Sequence, residues 1–86
     1  MSAVPEDIAG HAAVLQEDAL ALSECAERLR AIEARLEEVG AAPPWLRDSV
    51  RAHLAACAMA SADVAEAAAW LRRYAAVTPG GRPARR

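Results

Sequence analysis

Residues 15–36, LQEDALALSECAERLRAIEARL, carry a leucine at every seventh position and contain neither proline nor glycine. The row consists of Leu15, Leu22, Leu29 and Leu36, and Ile8 lies one heptad before it. A seven-residue apolar repeat places its members on one stripe of an α-helix, and such a stripe is normally covered by another helix. The segment therefore predicts a long first helix that packs against a partner helix.

The covering helix is predicted in the same chain, because a second seven-residue repeat follows a Pro-Pro break. Its members are Val50, Cys57, Val64 and Leu71. Glycine suits the residue that follows a helix, and paired prolines stop the helix from continuing. The turn residues are Gly40, Pro43, Pro44 and Trp45, with Trp45 closing the turn. We expect helix 1 over about 6–39, a turn over 40–44 and helix 2 over about 45–77, so that residues 1–77 form one hairpin domain followed by a flexible basic tail over 78–86.

The short turn makes the two long helices antiparallel. Residues whose numbers sum to about 85 are then expected to lie level, for example Leu29 beside Ala56. The leucine row becomes the seam within the chain, and helix 2 supplies smaller side chains opposite it. The predicted fold class is therefore all-α, an antiparallel two-helix hairpin.

The composition predicts that one hairpin is short of core and assembles into a four-helix bundle. Alanine accounts for 24 of the 86 residues and phenylalanine is absent. A buried alanine contributes much less free energy than the ~1.5–3 kcal/mol of a buried leucine, and small scaffolds often meet this shortage by oligomerising. Several large apolar residues lie off the predicted seam and form the expected partner-binding surface: Val14, Leu20, Met59, Trp70 and Tyr74.

The charge pattern argues against nucleic acid as a ligand. Residues 6–39 carry nine acidic residues against three arginines, and the whole chain has ten arginines, no lysine and a net charge of −2. An acidic first helix repels phosphate backbones. The expected partner is therefore a protein, either a second copy or a related helical hairpin.

The N-terminal sequence MSAVPEDIAG lacks the basic region of a signal peptide. No run of about 18 uninterrupted apolar residues is present, which predicts no membrane span. Two cysteines without a signal peptide indicate reduced thiols in a cytoplasm. We expect a cytoplasmic protein, or one that is secreted without a cleaved signal peptide.

One constellation of possible metal ligands is present. Cys25 and Cys57 fall near the same level of the hairpin, and His53 lies one turn before Cys57. Thiolate and imidazole bind zinc and copper, although no Cys-X-X-Cys spacing accompanies them. We interpret the same cysteines as small core residues, with a disulfide pair as the alternative, and no metal is predicted.

No catalytic motif is present. The acidic residues lack the Glu-X-X-His pattern of di-iron bundles, and there is neither a Ser-His-Asp spacing nor a phosphate-binding glycine loop. The sequence predicts a protein that is not an enzyme and uses no cofactor.

The two repeats, the tryptophan at the turn and the segment Leu71-Arg72-Arg73-Tyr74 resemble the small helical-hairpin proteins of ESX (type VII) secretion in actinobacteria, the Trp-X-Gly superfamily. The chain departs from the family pattern at two positions. Leu46 and Arg47 follow Trp45, where the family has Trp-X-Gly, and Thr78 stands four residues after Tyr74, where the family export signal has an acid. The resemblance implies a hairpin that is exported with a signal-bearing partner, or a cytoplasmic accessory protein.

These observations predict a protein that acts through protein–protein association, as a type VII secretion substrate or partner. The alternative is a cytosolic adaptor, an antitoxin-like protein or an accessory subunit whose hairpin packs on a larger protein.

Overall fold

The computed structural model describes residues 5–77 and contains two α-helices joined by a short loop. Helix α1 spans Pro5–Val39 and helix α2 spans Pro44–Val77. Each helix begins one residue before the predicted start, and each is about 50 Å long at 1.5 Å per residue. The two helices pack along each other, which confirms the all-α antiparallel hairpin. The predicted basic tail over 78–86 and the first four residues of the predicted domain lie outside the described residues.

The loop is shaped by one glycine and one proline carbonyl. Gly40 has a φ of +72°, and its backbone N–H donates to the carbonyl of Leu36 at 3.1 Å. This is the left-handed cap that ends many helices. The carbonyl of Pro43 then accepts the first hydrogen bonds of α2, from the N–H groups of Leu46 at 3.0 Å and Arg47 at 3.3 Å.

Two of the predicted turn residues belong to α2 instead. Pro44 is the first residue of the helix, where a proline lacks no needed hydrogen bond. Trp45 lies in the first helical turn and is 70% exposed. Its side chain therefore does not close the turn; the loop is closed by the backbone bonds at Gly40 and Pro43.

The centre of the interface is a row of alanines and not the leucine row. Among the described residues only four are buried, each at most 3% exposed: Ala12, Ala19, Ala26 and Ala68. The leucine row, three residues further along α1, is half-buried. The leucine row, which was expected to form the seam, lies beside the alanine row, because methyl-sized side chains at the centre of the contact let the helix axes approach closely.

A side chain–backbone hydrogen bond shows how close the helices come. The Ser61 hydroxyl of α2 donates to the carbonyl of Ala19 on α1 at 2.8 Å. A serine side chain is short, so the two backbones must nearly touch at this level. The bond also satisfies a polar group in the interface, which otherwise costs about 1–3 kcal/mol when left unpaired.

The four polar contacts between the helices define their register. The numbers of the paired residues add up to 80 for Ser61 and Ala19 and to 82 for Cys57 and Cys25. They add up to 84 for the two ion pairs nearest the loop. The sums are a little below the expected value of about 85, and they place Leu15 and Leu22 nearly level with Ala68 and Ser61.

Two ion pairs join the helices near the loop. Glu33 accepts a hydrogen bond from Arg51 at 2.9 Å, and Glu37 pairs with Arg47 at 3.2 Å. The hydrogen bond to Glu33, followed by the negative charge of that carboxylate, raises the pKa of Arg51 above its ordinary value. Exposed pairs of this kind contribute about 0.2–1 kcal/mol each and mainly hold the register.

The two glycines described in the helices and loop predict opposite effects of the same substitution. Gly40→Ala should lower the free energy of unfolding by about 1–2 kcal/mol, because a β-carbon disfavours the left-handed backbone. Gly10→Ala is the matched control: its new β-carbon meets nothing within 4 Å, and it should raise stability by about 0.5–1 kcal/mol. Urea denaturation followed by circular dichroism measures both. Equal effects of the same sign would contradict the cap.

The alanine row predicts that added volume is harmful there. Ala19→Leu should lower the free energy of unfolding by about 2–4 kcal/mol, because it separates the helices and breaks the Ser61 bond. Ala31→Leu makes the same change at an exposed position of α1 and should shift stability by no more than about 0.5 kcal/mol. Thermal unfolding of both variants measures the difference. A tolerated Ala19→Leu would show that the helices are not in close contact.

Candidate interaction surface

Helical spacing gives the hairpin two unlike sides. On α1 the leucine row lies about 60° around the axis from the alanine row. A second pair of rows lies on α2. One row contains Ser61 and Ala68, and the other lies about 60° around the helix axis from it, in the same direction of rotation as on α1. The second row consists of Val50, Cys57, Val64 and Leu71. Because the helices are antiparallel, equal rotations bring both rows to the same side of the hairpin. We call this side the leucine face and define it by its half-buried residues: Leu15, Leu22, Leu29, Leu36, Val50, Cys57, Val64 and Leu71.

Further large apolar side chains border the leucine face and are exposed. Each lies on the leucine side of its helix by spacing, and each is at least 46% exposed: Val14, Ile32, Val39, Trp70, Tyr74 and Val77. A soluble hairpin with no partner would be expected to carry polar groups at these positions. The row of leucines and its border therefore form one long apolar strip across both helices.

Charge is concentrated on the other side. The leucine rows and the adjacent rows of Cys25 and Tyr74 include one charged side chain within residues 5–77, Asp18. The outer rows of Val14 and Trp70 include Asp7, Arg28, Arg35 and Asp63. The corresponding rows on the opposite side include six: Arg30, Glu33, Glu37, Arg47, Arg51 and Arg72. Arg30 also pairs there with Glu27 at 2.6 Å. The leucine face is thus the side of the hairpin that is easiest to remove from water.

Helical spacing places Val14, Trp70 and Tyr74, three of the five residues expected to bind a partner, on the leucine side of the hairpin. Val14 and Trp70 have numbers that add up to 84, so they lie nearly level, both at the border of the leucine face. Tyr74 follows Trp70 by one turn. Leu20 follows Ala19 and is rotated to the opposite side of α1. Met59 precedes Trp70 by about three helical turns, so these two exposed residues lie on the same outer face of α2.

Sequence reasoning did not include Ile32 and Val39 among the exposed residues. Both follow a leucine of the row by three positions. They are 46% and 67% exposed. The seven-residue spacing from Cys25 through Ile32 to Val39 shows that these residues share one row of α1. Whether α2 covers that row depends on how closely the two helices approach.

Trp70 is held in place by a neighbour on its own helix. The guanidinium carbon of Arg73 lies 4.7 Å from the centroid of the Trp70 ring. A cation–π contact of this kind contributes about 0.5–1 kcal/mol at an exposed site. Arg73 therefore orders the indole before any partner arrives, while the ring stays 59% exposed.

The candidate metal ligands are only partly brought together. The sulfurs of Cys25 and Cys57 lie 3.8 Å apart, but Nδ1 of His53 is 2.8 Å from the carbonyl oxygen of Ser49 on its own helix. The hydrogen bond with Cys25, and then burial, raise the pKa of the Cys57 thiol. Over residues 5–77 no group of three or more His, Cys, Asp or Glu side chains is arranged to hold a metal ion.

Helix α2 is more apolar than expected from the absence of long uninterrupted apolar runs. It contains an 18-residue window with a mean hydropathy of 1.3 and at most two charged residues, of which 6% is buried. By length and composition this helix could cross a membrane, whereas we expected no segment of that kind. The core helix of a soluble protein passes the same test, so hydropathy alone assigns no membrane span to α2.

Comparisons with known proteins assign no function to the leucine face. No family model matches the chain, and no curated protein or solved structure matches it. The similarity to ESX proteins therefore stays a prediction from the sequence, and the helical hairpin is the established property of the chain.

Proposed function

We propose that this protein is not an enzyme and acts by protein–protein association, with a second helical hairpin covering its leucine face to form a four-helix bundle. One observation carries the proposal. Within the described part of the chain the buried residues are all alanines, while every leucine, valine and tryptophan there is half-buried or exposed. The side chains that could contribute most to a core are the ones left partly in water.

The leucine face is large enough for a stable complex. Two helices about 50 Å long, each about 10 Å wide, present a face of about 1,000 Å². A standard protein–protein interface buries about 800 Å² on each partner. A partner that covers most of the strip would therefore bury a normal interface without any rearrangement of the hairpin.

The partner that fits this surface best is another hairpin, either a second copy or a related chain. A strip this long and narrow matches a rod-like helical partner, whose own apolar row can pack along its full length. Trp70, ordered by Arg73, supplies an aromatic anchor of the type that often dominates binding energy.

The type VII secretion role rests on the sequence resemblance, and the paired long helices support it. A related hairpin with an acidic export signal would supply the signal that the chain lacks after Tyr74. In the alternative role the leucine face packs on a larger cytosolic protein. Both roles use the same face, so they differ in the identity of the partner.

Replacing the aromatic anchor tests the bundle. Trp70→Asp should weaken self-association by at least about 30-fold, equivalent to about 2 kcal/mol, because it places a carboxylate in the apolar interface. The helix content should hardly change. Trp45→Asp is the matched control, since it makes the same replacement at an exposed tryptophan outside the leucine face. Sedimentation equilibrium gives the masses and circular dichroism the helicity. The bundle proposal fails if Trp70→Asp keeps the mass of the unaltered protein, or if both variants lose it equally.

The partner is tested in the native host. If the chain travels with a type VII partner, its amount in the culture medium should fall to background when the ESX ATPase is inactivated, and a tagged copy should co-purify with a paired hairpin. Quantitative mass spectrometry of medium and cells measures both. Retention in the cell together with a larger protein would contradict the secretion role and favour the adaptor role.

A further inference from the structure

The thiol pair at the centre of the hairpin is placed for a reaction that the proposed function does not use. Cys25 and Cys57 are free, half-buried and on different helices. Their sulfurs are 3.8 Å apart, which is ordinary contact. The structure places no competing ligand there, because His53 is turned to the Ser49 carbonyl.

The distance to a covalent bond is short. A disulfide has a sulfur–sulfur distance of about 2.05 Å, so the sulfurs must approach by about 1.8 Å. That is the scale of a side-chain rotation between neighbouring wells. The register brings the two sulfurs into contact with no sliding of the helices.

We propose that Cys25 and Cys57 form a reversible intrachain disulfide that fastens the two helices together. The inference stands on the contact of the two sulfurs and not on the bundle or on secretion. Its oxidant is a low-molecular-weight disulfide of the glutathione class, which cells and oxidising compartments contain.

The chemistry balances as two thiol–disulfide exchanges. The thiolate of one cysteine attacks a sulfur of the small disulfide, forms a mixed disulfide and releases one small thiolate. The second cysteine, as its thiolate, attacks the protein sulfur of the mixed disulfide and releases the second small thiolate. The protein gives up two electrons and two protons, and the small disulfide is reduced to two thiols.

The bond would matter because the core between the helices is thin and the interhelical polar contacts are few and weak. It closes a loop of about 32 residues, which in the chain-entropy estimate raises the folding equilibrium constant by roughly two to three orders of magnitude. For a domain of this size that corresponds to an increase of about 15–30 °C in the midpoint of thermal unfolding. The oxidised hairpin could no longer open about Gly40.

The test uses the full chain, reduced and then incubated with oxidised glutathione at pH 8.5, where thiolates are available. Intact-mass spectrometry should show a monomer that has lost two hydrogens, with faster migration on a non-reducing gel. The rise in unfolding midpoint should accompany this form and disappear on reduction. Persistent glutathione adducts, or disulfide-linked dimers as the main product at low protein concentration, would overturn the proposal.

The matched control keeps two cysteines in the chain but separates them. The double variant C57A/M59C moves the second thiol to the outer surface of α2, and it should accumulate glutathione adducts with no intrachain bond. If this variant formed an intrachain disulfide as fast as the unaltered protein, the contact between the Cys25 and Cys57 sulfurs would not be the cause of disulfide formation. The mass measurement on the unaltered protein tests the disulfide even if the double variant fails to fold. Repeating it with Trp70→Asp separates the two proposals, because closure should persist even where the bundle has dissociated.

Discussion

The close contact of small side chains between α1 and α2 is the constraint on which the rest of the structure depends. Ala12, Ala19 and Ala26 have almost no exposed surface, and the Ser61 hydroxyl reaches a backbone carbonyl across the interface. Helices separated by leucines could not make that bond. Since a methyl group fills the space between the axes, every larger side chain of the repeat lies beside the contact and not inside it.

The location of the apolar surface follows from this geometry. Two rows of half-buried leucines and valines lie on one side of the contact, while the interhelical ion pairs lie on the other. A hairpin built this way has a defined contact between its helices but removes little apolar area from water. Its fold and its association are then linked, because the side chains that would stabilise the domain most are also those that a partner would cover.

The thiol pair belongs to the same arrangement. Cys57 lies in the half-buried row of α2, and Cys25 lies on the same side of α1, so close helices bring their sulfurs into contact. The hydrogen bond to Cys25, followed by burial, raises the pKa of the Cys57 thiol. A covalent bond at mid-helix and the loop at one end would constrain the hairpin at two levels.

The sequence by itself determined the two helices, their ends to within one residue and their antiparallel order, because seven-residue repeats and the Gly40 to Pro44 break are local signals. It also pointed to Val14, Trp70 and Tyr74 as exposed apolar residues. Only the tertiary structure decided that alanines, and not leucines, form the contact. A repeat identifies which residues share a stripe of a helix, but the row at the centre depends on how near the second helix comes. That distance also left Ile32 and Val39 exposed.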